Sequence, residues 1–312
     1  MKIPFERTIA GAYRFAFTNI LSIVGIGWFP FLLAGAAIAG VIYLMLPQLI
    51  DLSSLFARAS DTKSFDNARF LALLPQLLGS YLVVIVVYVF AQAMVSVGVL
   101  RKALGQHPGP VFIFFSLGSQ VWRLIGSYLL VMLLAWGAMA LIGGSIAAIS
   151  FGLSKVSQGA QVAGTTILII LAYLWFLYAL VRLVFFIPAV VVAENHIGIR
   201  RAWHLGKGNF WRIVGIYLVV TLPLGMAVNT VASSLLQMAM GSGGLVMTNP
   251  ADAQKLFLAL FHALGRIWPY YLVLQFIAMM LQAGLLSGAI ANAYSLVTGG
   301  GEIAPPPSKV PA

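Results

Sequence analysis

The largest group of charged and titratable side chains in this sequence lies between residues 182 and 212, after its fourth long apolar run. Arginine can bind a phosphate group through two parallel hydrogen bonds, and a neighbouring carboxylate can orient it. These residue types therefore predict a binding site for an anionic lipid headgroup or another phosphate-bearing ligand. The site would comprise Arg182, Glu194, Arg200, Arg201, His204, Lys207 and Arg212.

A structural interpretation of the same residues competes with this one. Arg182 lies inside an apolar run, where a charge must face other helices or extend to the membrane surface. It could contact an anion in a cavity, or it could bond backbone carbonyls that are left free near Pro188. The remaining cations could simply anchor the chain at a membrane surface, with Glu194 paired locally. The residue types leave both interpretations open.

Two further polar side chains within the apolar runs are Gln92 and Gln282, which are equivalent in an internal repeat. Together with Arg182, they are the intramembrane polar positions of interest. Glutamines at such positions can line a polar path through the membrane. More often they form hydrogen bonds between neighbouring helices, and this is the role we expect.

Residues that usually carry catalysis or bind metals are scarce. The chain has no cysteine, and its seven acidic residues fall in loops, tails or interfacial segments of the predicted topology. His196 and His204 are eight positions apart, with Arg200 midway where a metal site would need a carboxylate. The sequence contains no nucleophile elbow, phosphate-binding loop or zinc-protease motif. We therefore expect no enzymatic activity, no metal and no cofactor.

Composition identifies lipid as the solvent for most of the chain. Hydrophobic residues make up 61% of it and charged residues 8%, whereas soluble domains carry about 25% charged residues. Six apolar runs are long enough to cross a hydrocarbon core of about 30 Å as helices. They lack the alternation of barrel strands, which predicts an all-α polytopic membrane protein. The runs cover residues 20–46, 78–100, 121–150, 165–192, 211–240 and 268–297.

The net charge of +11 is explained by membrane topology, so we expect no nucleic-acid partner. With the N-terminus inside, twelve of the eighteen Lys and Arg residues fall on the inner side of the membrane. Because such residues are retained on the cytoplasmic side, both termini are predicted to be cytoplasmic. The inner set is Lys2, Arg7, Arg14, Arg101, Lys102, Arg123, Arg182, Arg200, Arg201, Lys207, Arg212 and Lys309.

An internal repeat relates the six runs to one another. Residues 19–26 recur at 209–216, and the same offset of 190 also pairs Gln92 with Gln282. A third copy comes from residues 121–129, which align with residues 210–218. Each copy crosses the membrane twice, so the sequence predicts three parallel two-helix repeats. The units cover about 4–104, 105–195 and 196–298.

Each unit is expected to begin with a cytoplasmic interfacial segment that then turns into the bilayer. In the third unit Arg200, His204 and Lys207 share one helical face, which is typical of a helix at a membrane surface. The three units together form a single transmembrane domain over residues 1–298. Residues 299–312 are predicted to be a disordered, Pro-rich cytoplasmic tail.

The segment around the charged cluster resembles one found in a bacterial group of six-helix membrane proteins. The group includes the YciC-type proteins and the membrane domain of some glycerophosphodiester phosphodiesterases. Their shared pattern is an Arg and a Pro late in helix four, a Glu, a short amphipathic helix, and Lys-Gly-x-x-x-Arg before helix five. Trp203 departs from it, because the group often carries a small hydroxyl residue there. In this chain the pattern reads RLVFFIP at 182–188, Glu194, RAW at 201–203 and KGNFWR at 207–212.

The resemblance implies a multi-pass protein of the bacterial inner membrane. It implies no hydrolase activity, because these residues contain no phosphodiesterase domain. We expect a non-enzymatic role in envelope or lipid handling, with basic cytoplasmic faces contacting anionic headgroups of membrane lipids. A transporter or permease component, with a path near Arg182, Gln92 and Gln282, is one alternative. A membrane subunit that docks a separate partner protein is another, and the sequence does not define an oligomeric state.

Overall fold

The computed structural model of the protein describes residues 2–62, 66–107, 112–155, 157–240 and 250–299. Within these ranges the chain forms nine helices and no strand, which confirms the all-α prediction. The helices are α1 (Phe5–Thr18), α2 (Ile20–Thr62), α3 (Asn67–Ala103), α4 (Ser119–Ser154), α5 (Gln158–Val184), α6 (Ile187–Glu194), α7 (Ile199–Leu205), α8 (Phe210–Met240) and α9 (Pro250–Thr298).

Six segments of the described helices are long and apolar enough to cross a membrane, so the chain is a multi-pass membrane protein. Each contains 30 to 37 residues. At about 1.5 Å per residue, every segment is longer than a hydrocarbon core of about 30 Å. Helices satisfy their own backbone groups, which lipid cannot do. The segments are Ile20–Leu52, Asn67–Ala103, Ser119–Ser154, Gln158–Glu194, Phe210–Ala239 and Gly265–Thr298.

The fourth membrane segment is broken after Val184, where α5 ends, and two residues separate this helix from the start of α6. Pro188 has no amide hydrogen, so the helical bond from residue 188 to the Val184 carbonyl cannot form. α6 then ends at Glu194, and the capping residue Asn195 has a left-handed φ of 55°. These two changes of direction bring α7 back beside α5, which it contacts.

The short helices α1, α6 and α7 lie at one end of the bundle, which we call the α7 end. Buried side chains concentrate here: α3 buries none before Ala91, and α4 buries none after Val131. Further from this end the long helices carry many exposed Leu, Ile and Val side chains, which lipid can solvate. The bundle is therefore packed tightly at the α7 end and more loosely beyond it.

The leading helix α1 packs against protein with its less polar face. It buries small side chains, among them Ala12 and Ala16, against the end of α9. The close approach needs Gly288, because a Cβ on that residue would lie 3.2 Å from the Ala12 Cα. The basic side chains of α1, Arg7 and Arg14, remain exposed. The predicted amphipathic helix is thus present, but its apolar face is covered by α9.

The three predicted hairpins close around a central space. They are α2 with α3, α4 with α5 and α6, and α8 with α9. Each contacts the other two: α3 contacts α4 and α6, α5 contacts α8, and α9 contacts α2, α3 and α6. Sequence reasoning did not decide whether the hairpins would close in this way.

Two corners of the predicted repeat share one local contact. The Asn19 Nδ2 donates to the Phe15 carbonyl at 3.1 Å, and the Asn209 Nδ2 donates to the Leu205 carbonyl at 3.4 Å. The second corner differs, because residues 112–118 are not helical. The repeat as a whole, and the unit bounds given above, stay a prediction. Residues 300–312, which hold nearly all of the predicted tail, lie outside the described residues.

Candidate functional site

Arg182 is buried between α5 and α7, with 5% of its surface exposed. Its guanidinium carbon lies 3.9 Å from the centre of the Trp203 ring, and its Nη2 donates to the Trp203 carbonyl at 3.1 Å. The Nη1 donates to the Tyr178 hydroxyl at 2.9 Å. No described carboxylate forms an ion pair with it. A desolvated cation–π contact contributes about 2 kcal/mol, so Arg182 ties α7 to α5.

Glu194 joins three elements at the end of α6. Its Oε1 accepts hydrogen bonds from the Arg201 Nε at 3.2 Å and from the Tyr294 hydroxyl of α9 at 2.8 Å. Its Oε2 lies 3.8 Å from the His196 Nε2. The carboxylate is therefore paired within the cluster, and its ion pair with Arg201 neutralises that cation.

Arg212 and Asn209 hold the N-terminal segment. The Arg212 Nη1 donates to the Ile3 carbonyl at 2.7 Å, and the Ile3 amide donates to the Asn209 Oδ1 at 2.9 Å. Ile3 is fully buried and Asn209 is 1% exposed. Arg212 was predicted to contact a headgroup. In the structure its guanidinium instead donates to a backbone carbonyl of the protein. The sequence pattern gave Asn209 only a place in the repeat and did not reveal this role.

The remaining predicted cations form one exposed surface on and just after α7. Arg200, His204 and Lys207 are exposed, and no side-chain hydrogen bond or ion pair engages any of them among the residues the structure describes. Arg200 and His204 lie on one side of α7, as expected, whereas Lys207 follows the end of the helix in a turn. We call these three side chains the α7 basic face. It is the part of the predicted cluster that stays available to an external anion.

A side chain of each hairpin donates a hydrogen bond to the segment that leads into the next hairpin. We call these bonds the three links. The last link returns from the third hairpin to the first, so the links run in one direction around the bundle. They join the Trp28 Nε1 to the Phe112 carbonyl at 2.7 Å, the Arg123 Nη1 to the Asn195 carbonyl, and the Arg212 Nη1 to the Ile3 carbonyl at 2.7 Å.

Gln92 and Gln282 lie on the wall of one cavity of about 420 Å³ inside the ring of hairpins. Both side chains are exposed to it, and neither forms a hydrogen bond within the described chain. The expected interhelical hydrogen bond is therefore not seen for either glutamine. Arg182 does not line this cavity, so the structure separates it from the two glutamines.

Three side chains that the motif analysis did not assign to the site complete its geometry: Tyr178, Trp203 and Tyr294. The departure of Trp203 from the resembling group was the available signal, since its ring is the surface on which Arg182 lies. Comparison of the chain with protein families, curated proteins and solved structures found no match. The resemblance to the YciC-type group therefore stays an expectation.

Proposed function

We propose that this integral membrane protein has a non-enzymatic role in lipid handling, and that the α7 basic face binds the anionic headgroups of membrane lipids. The observation that carries the proposal is the contrast within one cluster. Arg182, Arg201 and Arg212 are each held by the protein, whereas Arg200, His204 and Lys207 are exposed and unengaged in the described chain. Exposed cations beside membrane-spanning helices are attracted to anionic lipid surfaces.

The membrane concerned would be the bacterial inner membrane, with the α7 end toward the cytoplasm. Support comes from the charges: the described cations that the sequence assigns to the inner side lie on the short helices, at helix ends or in the segments beside them, all at the α7 end. Such an excess is retained on the cytoplasmic side of a bilayer. The exposed Arg7 and Arg14 of α1 would extend the same basic surface.

Neutralising the α7 basic face should weaken binding of an anionic lipid. We expect the double variant Arg200→Gln and Lys207→Gln to bind phosphatidylglycerol roughly 30-fold more weakly, because each cation near an anionic surface contributes about 1 kcal/mol. Binding is measured by native mass spectrometry of the purified protein titrated with phosphatidylglycerol. The difference should shrink as salt concentration rises.

The matched control removes two positive charges at the opposite end of the bundle. Lys155→Gln with Arg266→Gln makes the same change in net charge on exposed side chains, and should leave phosphatidylglycerol binding unchanged. If the control weakens binding as much as the test variant does, only net charge matters and the α7 basic face is not the site. Unchanged binding by the test variant would also contradict the proposal.

A second candidate function, a transporter or permease component, is favoured by the cavity that Gln92 and Gln282 share. Because the chain contains no cysteine, single cysteines report accessibility without interference. If the cavity belongs to a path, Gln92→Cys in sealed vesicles should react with a membrane-impermeant thiol reagent from at least one side. Leu82→Cys, at an exposed apolar position of α3, should stay unreactive. Protection of Gln92→Cys from both sides would contradict a path.

A further inference from the structure

The central cavity has a mainly apolar wall with neutral polar groups set into it. It lies between α3, α4, α5, α6, α8 and α9, and its volume of about 420 Å³ falls within the roughly 300–1,000 Å³ of ligand pockets. The apolar part of the wall includes Leu180, Val184, Leu286 and Ile290. All three hairpins contribute hydroxyl or amide groups to the wall. They belong to Tyr88, Gln92, Ser96, Tyr128, Tyr217, Gln282 and Ser287.

No charged side chain contributes to this wall in the described chain, which restricts the ligand. An ionised group moved from water into an apolar site without a partner is strongly disfavoured. A glutamine amide offers both a donor and an acceptor, which matches a hydroxyl, ester or amide group. The unbonded amides of Gln92 and Gln282 therefore suit an uncharged polar head, and the apolar wall suits a hydrocarbon chain.

A second cavity of about 340 Å³ continues the first along the groove between α8 and α9. The two cavities share Met279 and Gln282. Lining positions on α9 extend from Tyr271 to Ile290, a rise of about 28 Å at 1.5 Å per residue. An elongated molecule along α9 would place its polar head beside the glutamines, on the side of the polar second cavity, and its chain against Leu286 and Ile290. The polar groups of the second cavity are Thr221, Asn229, Tyr271, Gln275 and Gln282.

We propose that the central cavity is a binding site for a lipid with one hydrocarbon chain and an uncharged hydroxyl-bearing head. Gln92 and Gln282 contact the head, and the chain follows the wall of α9. This site is separate from the α7 basic face, and it binds a different class of lipid. The two proposals therefore stand or fall independently.

Monooleoylglycerol and oleate separate the proposed ligand from a general affinity for hydrocarbon, because they share a chain and differ in head charge. Each is titrated against the full chain in a zwitterionic detergent, because non-ionic detergents share the chain and the uncharged hydroxyl head of the proposed ligand. Binding is counted by native mass spectrometry. We expect monooleoylglycerol to bind, and Gln92→Leu with Gln282→Leu to weaken it about tenfold by removing its hydrogen bonds. Gln76→Leu, on α3 but outside both cavities, should have no effect.

Equal binding of oleate and monooleoylglycerol would overturn the assignment of an uncharged head. Monooleoylglycerol binding that survives the double variant would overturn the role of the glutamines. Phosphatidylglycerol binding at the α7 basic face should be unchanged in this variant, which checks its fold and distinguishes the two sites.

A second measurement tests the site even if the variant with both glutamines replaced by leucine fails to fold. In Gln282→Cys, alkylation by N-ethylmaleimide should be slowed by monooleoylglycerol, whereas in Gln76→Cys it should not. Equal rates with and without monooleoylglycerol in Gln282→Cys would overturn the site.

Discussion

Replacing Gly206 with alanine is expected to lower the free energy of unfolding by about 3 kcal/mol, at the upper end of the usual effect of overpacking. Gly206 caps the C-terminal end of α7 with ordinary helical backbone angles, so strain in φ is not the reason. A Cβ there would lie 2.8 Å from the Arg182 carbonyl oxygen and 3.4 Å from the Arg182 Cα. Backbone atoms cannot rotate away as a side chain can, so α7 would have to move off α5.

The measurement is thermal unfolding of the purified protein in detergent, followed by circular dichroism. Gly137→Ala is the matched control, because Gly137 lies inside α4 and a Cβ there would meet nothing within 4 Å. That control should leave stability unchanged or raise it by up to about 1 kcal/mol, since alanine favours helix over glycine. An unfolding temperature equal to that of wild type for Gly206→Ala would refute the close packing of α7 on α5.

Replacing Asn209 with leucine should release the N-terminal segment from the third hairpin. The Ile3 amide would lose its acceptor while buried, and an unsatisfied buried donor costs about 1–3 kcal/mol. Hydrogen exchange at the Ile3 amide, followed by NMR, should become roughly tenfold faster or more, because local opening becomes easier. Global stability should fall by a similar free energy only if the segment is part of the cooperative unit.

Asn19→Leu supplies the comparison at the equivalent repeat position. Among the described residues the Asn19 side chain bonds to Phe15 and Thr18, both within four positions of it, so its loss should cost about 1 kcal/mol or less. Exchange at Ile3 should remain as slow as in wild type. Fast exchange in both variants would show that the corner asparagines act through the helix start rather than through Ile3.

Much of the fold follows from local composition, because a membrane helix satisfies its own backbone within one stretch of sequence. Six continuous apolar runs therefore predict six spans, and all six occur among the described helices. Their ends were predicted less well. α3 begins at Asn67 rather than near residue 78, since the helix continues where the hydropathy signal fades. The break after Val184 depends on Pro188, whose effect on the chain direction appears only with α7 in place.

The arginines of the charged cluster have different environments that the sequence could not distinguish. Arg182, Arg200, Arg201 and Arg212 look alike along the chain, yet one packs on a ring, one is exposed, one bonds Glu194 and one bonds Ile3. Glu194 lies 7 residues from Arg201, and Ile3 lies 209 residues from Arg212. No single local pattern could therefore have indicated both partners. The glutamines were singled out for being polar in an apolar run, and the cavity between them was visible only after the hairpins closed.

The order of the three links along the chain has a consequence for the order in which the protein folds. The first two links span 84 and 72 residues and join consecutive hairpins, whereas the last joins Arg212 to Ile3 across 209 residues. Contacts between distant parts of a chain form late, because ordering the intervening loop has an entropic cost. The segment around Ile3 is therefore among the last parts of the described chain to reach its final position. Until then the first hairpin must persist in the membrane with its leading segment unattached.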